Sequence, residues 1–247
     1  MKKIDLQNES YLMFIDTETI GTINVMESVL PFEIGMKIYN LKEDKIIKEK
    51  SYIVKKFFNN KFIMRSTFSA NKYPNYFEKI ESDKRYKLYS VREIANDIQK
   101  LITKYNIKIM VAHNGQFDKN AMERLFNEFG VENVFKKIDL LDTMEISRVI
   151  TNSKDYFNFC LKNKNVLDNK KESSFISNSG RVRLTAQAIY SFISNNPNFE
   201  EAHTGLEDIE IELEIFKKKS YNLLGNKIVN LNTAPSWRDY SIIEEED

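Results

Sequence analysis

Cysteine, surplus charge and long apolar runs are what this 247-residue chain has least of, and each shortage removes a class of protein. The single cysteine, Cys160, excludes an intrachain disulfide framework and a thiolate zinc site. The 37 basic and 36 acidic residues leave a formal net charge of +1. That excludes a strongly basic nucleic-acid coat and a polybasic membrane clamp, but not a nuclease that grips a short strand end. No apolar run approaches the ~18 residues needed to span a bilayer, and the start, Met1-Lys2-Lys3-Ile4-Asp5, is too polar for a signal peptide. The expectation is a soluble, cytoplasmic protein with no membrane partner. With 42% hydrophobic and 12% aromatic residues the chain can build a real core, so disorder throughout is excluded.

The pattern along the chain alternates. Residues 11–15 form an apolar run that reads as a buried strand, ended by Asp16-Thr17-Glu18-Thr19-Ile20-Gly21. Residues 31–39 and 50–56 are strand-like and flank a polar turn over 40–45, which suggests antiparallel strands opening the domain. Residues 57–87 have no clean period and read as loops with short helices. Ser90-Val91-Arg92-Glu93 matches a capping box and opens a helix to about Lys104, with Val91, Ile94, Ile98, Leu101 and Ile102 on its apolar face. Residues 107–112 read as a buried strand, followed by a helix to about Phe129 with Gly130 as its cap. A short strand over 138–141 leads to Asp142-Thr143, the cap of the next helix. Residues 151–185 are polar and read as a loop or hairpin insertion turning at Ser177-Asn178-Ser179-Gly180. Helices are predicted over 184–195 and over 206–221, the latter with a stripe of Leu206, Ile209, Leu213 and Phe216. Beyond Gly225 lies a tail with an acidic end. Strands alternating with helices point to an α/β domain with a mixed or parallel sheet.

Three clusters carry chemistry. Asp16 and Glu18 stand two apart at a strand end, so both carboxylates point to one face, roughly 6–7 Å apart, and suit a hard divalent cation. With 36 acidic residues an Asp-x-Glu also arises by chance, and Asp208-Ile209-Glu210 is such a decoy, since helical residues two apart face different ways. His113-Asn114-x-x-Phe117-Asp118 follows a buried strand and opens a helix, which puts Asp118 near the C-terminal sheet edge, where α/β proteins hold their sites. His203-Thr204-Gly205-Leu206-Glu207-Asp208 uses one of only two histidines, at a helix start.

Taken in order, Asp16-x-Glu18, Asn114-x-x-Phe117-Asp118 and His203-x-x-x-x-Asp208 resemble the three motifs of the DnaQ-like (DEDDh) 3′–5′ exonucleases, with Phe32-Glu33-Ile34-Gly35, Val111-Ala112-His113-Asn114 and Asp142-Thr143-x-x-Ile146-x-Arg148 as family-like context. The likeness covers about residues 10–220 and leaves 57–87 and 151–185 unmatched. It implies a ribonuclease H-like α/β fold, a central mixed five-stranded sheet flanked by helices, with residues 1–222 as the exonuclease domain and 223–247 as a tail. It further implies two Mg²⁺ ions, with Mn²⁺ able to substitute, held by Asp16, Glu18, Asp118 and Asp208. By the same analogy Asp16 bridges both ions, Glu18 and Asp208 hold the one that carries the attacking water, and Asp118 supports the other. His203 is the general base, and Thr17, Thr19, Ile20 and Asn114 contact the terminal nucleotide. The implied reaction releases nucleoside 5′-monophosphates from single-stranded 3′ ends, DNA somewhat favoured over RNA. An oligoribonuclease, an RNA 3′-trimming enzyme and a proofreading subunit are the alternatives. The residues themselves leave homodimer formation and docking on a polymerase or other replication partner open.

Other residues read as scaffold. His113 is expected to be structural, hydrogen-bonded beside Asn114, and Asp142 to cap a helix. Glu212, one turn beyond Asp208, is expected to be solvated or paired. Lys217-Lys218-Lys219 reads as a solvated helix end. Of Phe57, Phe58, Phe62, Tyr73, Tyr76 and Phe77, which could stack on bases, most are expected in the core, leaving one or two for contacts. Cys160 is expected to be a small buried hydrophobe.

Overall fold

A computed structural model describes residues 3–4, 6–21, 29–66, 70, 73–167, 172–217 and 229–230. Its strands are β1 Lys3–Ile4, β2 Tyr11–Ile20, β3 Leu30–Asn40, β4 Lys45–Val54, β5 Tyr86–Tyr89, β6 Ile109–Ala112, β7 Asp139–Asp142 and β8 Val229–Asn230. Its helices begin with α1 Lys55–Phe58, α2 Lys61–Ser66, α3 Tyr73–Ser82, α4 Val91–Tyr105 and α5 Gln116–Glu128. They continue with α6 Thr143–Ile146, α7 Arg148–Thr151, α8 Lys154–Lys162, α9 Ala186–Ser194 and α10 Gly205–Ile215.

The main sheet runs β5-β4-β3-β2-β6-β7. β2, β3 and β4 form an antiparallel meander, β6 and β7 add in parallel beside β2, and β5 adds in parallel beside β4. The sheet is mixed, as expected, but has six strands rather than five. The extra strand, β5, is four residues long at the sheet edge, half exposed, and emerges from the aperiodic region. So short a strand carries no readable alternation. Residues 55–82 otherwise fold as the short helices α1 to α3.

β2 is the axis of the domain. Leu12, Met13, Phe14 and Ile15 are all fully buried, because helices cover both faces of the sheet. Met13 and Ile15 join Met110, Ala112 and the apolar faces of α4 and α5 in one core. Leu12 and Phe14 join Ile109, Val111 and the stripe Ile209, Leu213 and Phe216 of α10 in the other. β2 does not end at Asp16: it pairs with β3 out to Ile20, with an irregularity between Glu18 and Thr19.

A third cluster lies beyond α10. The stretch 151–185 is not only loop: α8, capped by Ser153, packs Tyr156 and Cys160 against α9, Phe175 and the far side of α10 through Ile211 and Ile215. The polar composition of this stretch hid a helix whose buried side chains are spaced for one face only. Residues 173–183 then make a small hairpin, with Ile176 bridged to Val182 and the turn at Gly180 taken at φ 76°. Val229–Asn230 pairs antiparallel with Lys3–Ile4. The rest of the 223–247 segment lies outside the described residues.

The N-terminus of α10 reaches the sheet through two glycines. A Cβ on Gly35 would stand 2.3 Å from the Gly205 carbonyl carbon, and one on Gly205 would stand 2.7 Å from the Gly35 nitrogen. Only a pair of bare backbones fits here. Glu33, fully buried on β3, completes the joint: it accepts from Gly205 N at 3.1 Å, from Ser51 Oγ at 2.6 Å, and from the Tyr76 hydroxyl. Gly35→Ala is therefore expected to destabilise the fold by about 1–3 kcal/mol, and to lower Tm by roughly 2–4 °C per kcal/mol in a domain of this size. Thermal unfolding followed by circular dichroism checks this, and an unchanged Tm would show that α10 does not depend on the close approach.

Candidate active site

Three element ends converge where β2 leaves the core. Asp16 and Glu18 project from β2. Asp118, buried in the first turn of α5, accepts the Thr17 amide at 3.0 Å and the Thr17 hydroxyl at 2.7 Å. Asp208, in the first turn of α10, accepts the His203 amide at 3.1 Å. Glu18, His203 and Asp208 each place a ligand atom within 4.8 Å of the other two. Burial raises the Asp16 carboxyl well above the usual carboxylate range, with the charges of Asp118, Asp208, Glu212 and Glu18 adding to it. Burial likewise pushes Asp118 up to about 7, against the pull of its two Thr17 bonds. Asp208 is raised by burial and by the nearby Glu201 and Glu18. The structure thus brings together all four carboxylates and the histidine singled out in the sequence.

Around them stands a supporting layer. Asp142 accepts from the amides of Asn114 at 2.9 Å, Gly115 at 3.1 Å and Met144 at 2.9 Å, so it shapes the turn before Asp118 as well as capping α6. Asn114 itself is exposed and takes φ 56°. His113 bridges two segments. Its Nε2 donates to the Leu184 carbonyl at 2.7 Å, which leaves Nδ1 to accept the Thr143 hydroxyl at 2.9 Å. Burial lowers its pKa, in keeping with a neutral imidazole.

Glu212 departs from expectation. It is 2% exposed, accepts the His113 amide at 3.0 Å through Oε1, and leaves Oε2 buried with no hydrogen-bond partner among the described residues. Burial and the charges of Asp118, Asp208 and Asp142 raise its carboxyl. The sequence held a signal for it, since it lies four residues after Asp208 on one helical face. The decoy Glu210 points away and is exposed, bonded to Lys37 Nζ at 2.8 Å.

The expected substrate contacts are distributed unevenly. Thr17 is buried and committed to Asp118, and Ile20 packs in the main core. Thr19 is half-buried and Asn114 exposed. Phe57, Phe58, Tyr73 and Tyr76 are core residues, whereas Phe62 and Phe77 are 83% and 44% exposed. Lys217 pairs with Asp44 at 3.0 Å, and Lys218 and Lys219 lie outside the described residues. Cys160 is fully buried, which pushes its thiol up to about 12.

An oxygen-rich donor set, mutually repelling and desolvated, with one carboxylate oxygen left unpartnered, fits a bound divalent cation. A cavity of about 550 Å³ opens here, and its lining includes Asp16, Asp208, Glu212, Ser177, Arg181 and Arg183. Its size is that of a small-ligand site.

No protein-family profile matches the chain, and no curated protein matches it in sequence. Solved structures do. The chain overlays on E. coli exonuclease I in complex with a dA16 oligonucleotide at 13% identity and a TM-score of 0.51, across 87% of this chain and 42% of that one. The chain has a ribonuclease H-like fold. Apo exonuclease I gives 13% identity and a TM-score of 0.51 across 87% and 44%, and an SSB/exonuclease I complex with an inhibitor gives 12% and 0.52 across 87% and 43%. The chain therefore spans less than half the length of these neighbours. No helix among the described residues is long and apolar enough to cross a membrane.

The raised carboxyls set a pH dependence. Asp118 holds its proton to about 7 when folded, against an ordinary value of 3.8, so the metal-free fold loses stability as pH rises through that window and is unpenalised below it. Asp16, Asp208 and Glu212 shift in the same direction. The expected result is a metal-free Tm that falls as pH rises from about 4 to about 7, and that Mn²⁺ raises more at the upper end than at the lower. A Tm that rises with pH in chelator, or that ignores Mn²⁺ at both ends, contradicts this account of the site.

Proposed function

We propose that this chain is a metal-dependent 3′–5′ exonuclease acting on single-stranded nucleic acid, with DNA preferred over RNA and residues 1–222 as the catalytic domain. The observation that carries the proposal is the convergence of Asp16, Glu18, Asp118 and Asp208 with His203 at the end of β2. The fold adds support, because exonuclease I, solved in complex with a dA16 oligonucleotide, shares it. Two Mg²⁺ ions, replaceable by Mn²⁺, would be held by the four carboxylates, and when bound they supply charge neutralisation and Lewis acidity at the phosphodiester.

The chain's own groups account for the proton movements and the positioning. The His203 imidazole, beside Glu18 and Asp208, takes the proton from the water that attacks phosphorus. Glu201 Oε2, 3.9 Å from His203 Nδ1, favours the imidazolium that results. The bond from phosphorus to the 3′ oxygen breaks, leaving a 3′-hydroxyl on the shortened strand and a nucleoside 5′-monophosphate. Thr17 aims Asp118 by two hydrogen bonds, and Asn114, which lines the cavity, would contact the terminal nucleotide together with Thr19.

With Mg²⁺ or Mn²⁺ and 5′-labelled single-stranded DNA, the expected product is a ladder shrinking from the 3′ end, slower on RNA. Asp16→Ala and chelation should each abolish it. His203→Ala should slow it by about 10²–10⁴-fold and remove the acidic limb of the pH–rate profile. Undiminished turnover in Asp16→Ala, or shortening from the 5′ end, would overturn the proposal.

A further inference from the structure

The cavity lined by Asp16, Asp208 and Glu212 also has a basic lining element that none of the three motifs accounts for. It is the 173–183 hairpin, within the stretch that has no counterpart in the motif pattern. Arg181, Val182 and Arg183 line the same cavity as Asp16, Asp208 and Glu212, and Val182 also packs against the third cluster. These two are the only lysine or arginine residues among the described residues lining it.

The hairpin is a built element. Arg183 N donates to the Phe175 carbonyl at 2.7 Å, and Ser177 N donates to the Arg181 carbonyl at 2.8 Å. The Tyr156 hydroxyl donates to the Arg183 carbonyl at 2.5 Å, and Phe175 is fully buried beneath. His113 ties Leu184 directly to the turn before Asp118. Arg183 Nη2 donates to Glu172 at 2.5 Å, which holds the guanidinium in place, and Arg183 Nε is buried with no hydrogen-bond partner among the described residues. Ordering an arginine in advance reduces the entropy lost when it engages an anion.

We infer that Arg181 and Arg183 form a clamp for a backbone phosphate of the substrate other than the one being cleaved. The inference rests on the nuclease reading of the same site. The carboxylates repel phosphate wherever a cation does not intervene, so an anion with no metal contact belongs beside the arginines that share the cavity. Guanidinium forks match phosphate oxygens in shape and charge. The substrate that engages both groups carries at least two phosphates: an oligonucleotide of three residues or longer, not a dinucleotide with a single phosphodiester.

The test is a length series. For single-stranded oligothymidylates without a terminal phosphate, the full chain should show a KM that drops from the dinucleotide to the octanucleotide. Arg181→Gln with Arg183→Gln should raise KM for the octanucleotide about ten- to a hundredfold, as expected for losing charge-assisted contacts. KM for the dinucleotide and kcat for both should stay near wild type. Glu172→Gln removes the contact that orders Arg183 and should weaken the length dependence, by less than the double arginine variant. In an Asp16→Ala background, binding of a fluorescein-labelled octanucleotide read by anisotropy should lose about 0.7 in salt slope for each phosphate contact removed. Equal KM changes on both lengths, or an unaltered slope in the double arginine variant, would overturn the clamp. A chain that binds with an arginine-dependent slope but never cleaves keeps the clamp and removes the nuclease reading. A chain that cleaves while the arginine variants behave as wild type does the reverse, and absence of any oligonucleotide binding removes both.

Discussion

Four acidic side chains, Asp118 and Glu212 buried and Asp16 and Asp208 half-buried, crowd one end of β2, and burial and acidic neighbours raise each of them. An isolated ionised carboxylate in such surroundings costs several kcal/mol. The nearby lysines relieve other groups: Lys37 pairs with Glu210 and Glu49, and Lys79 with Glu207. Backbone amides offset part of the cost, through Thr17 to Asp118, His203 to Asp208 and His113 to Glu212. The crowding persists because the surrounding fold over-determines it. Relief comes from a cation or from protons, which is why metal binding and pH should act on the same equilibrium.

Most of that enforcement passes through α10. Asp208 and Glu212 stand one turn apart on it, facing the site. Ile209, Leu213 and Phe216 fix it to the sheet, and Ile211 and Ile215 fix it to α8 and α9. Its N-terminus is held by Glu33 and by the contact of Gly205 with Gly35. A helix gripped on both sides cannot shift to let its two carboxylates relax away from Asp16. The same helix links the sheet to the hairpin that lines the cavity, so the acidic and basic groups there share one support.

How much of this could be read in the sequence follows from the range of the interactions. β2, β3, β6 and the capping-box helix α4 were legible, because a buried strand or an amphipathic helix writes its period locally. Asp16, Glu18, Asp118, His203 and Asp208 could be singled out because, taken in order, they resemble the three exonuclease motifs; their spacing at strand ends and helix starts was weak evidence by itself. β5 was not legible, since a four-residue edge strand is decided by what lies beside it. α8 was not, since its buried face is completed only by Phe175 and α9. The burial of Glu212 was also hidden. Its position on the Asp208 face was visible, but that the face is closed off by His113 is a contact across 99 residues. Likewise Asp142 showed its cap and concealed its grip on the Asn114 turn.

The near-zero net charge, which argued against an extended basic groove, acquires a local meaning at the cavity. Binding a polyanion requires positive charge where the phosphates lie, not a positive total. Many of the described lysines and arginines are engaged with neighbouring acids, as in Lys50 with Asp97, Arg85 with Asp83 and Glu49, and Lys45 with Glu43. Such pairs contribute little long-range field. Arg183 is also paired, with Glu172, yet its guanidinium is held at the wall of an open cavity, and Arg181 stands two residues away on the same side. On the proposed reading, the paired residues would add little non-specific electrostatic capture along a strand, and the affinity would come from the few nucleotides that enter the cavity.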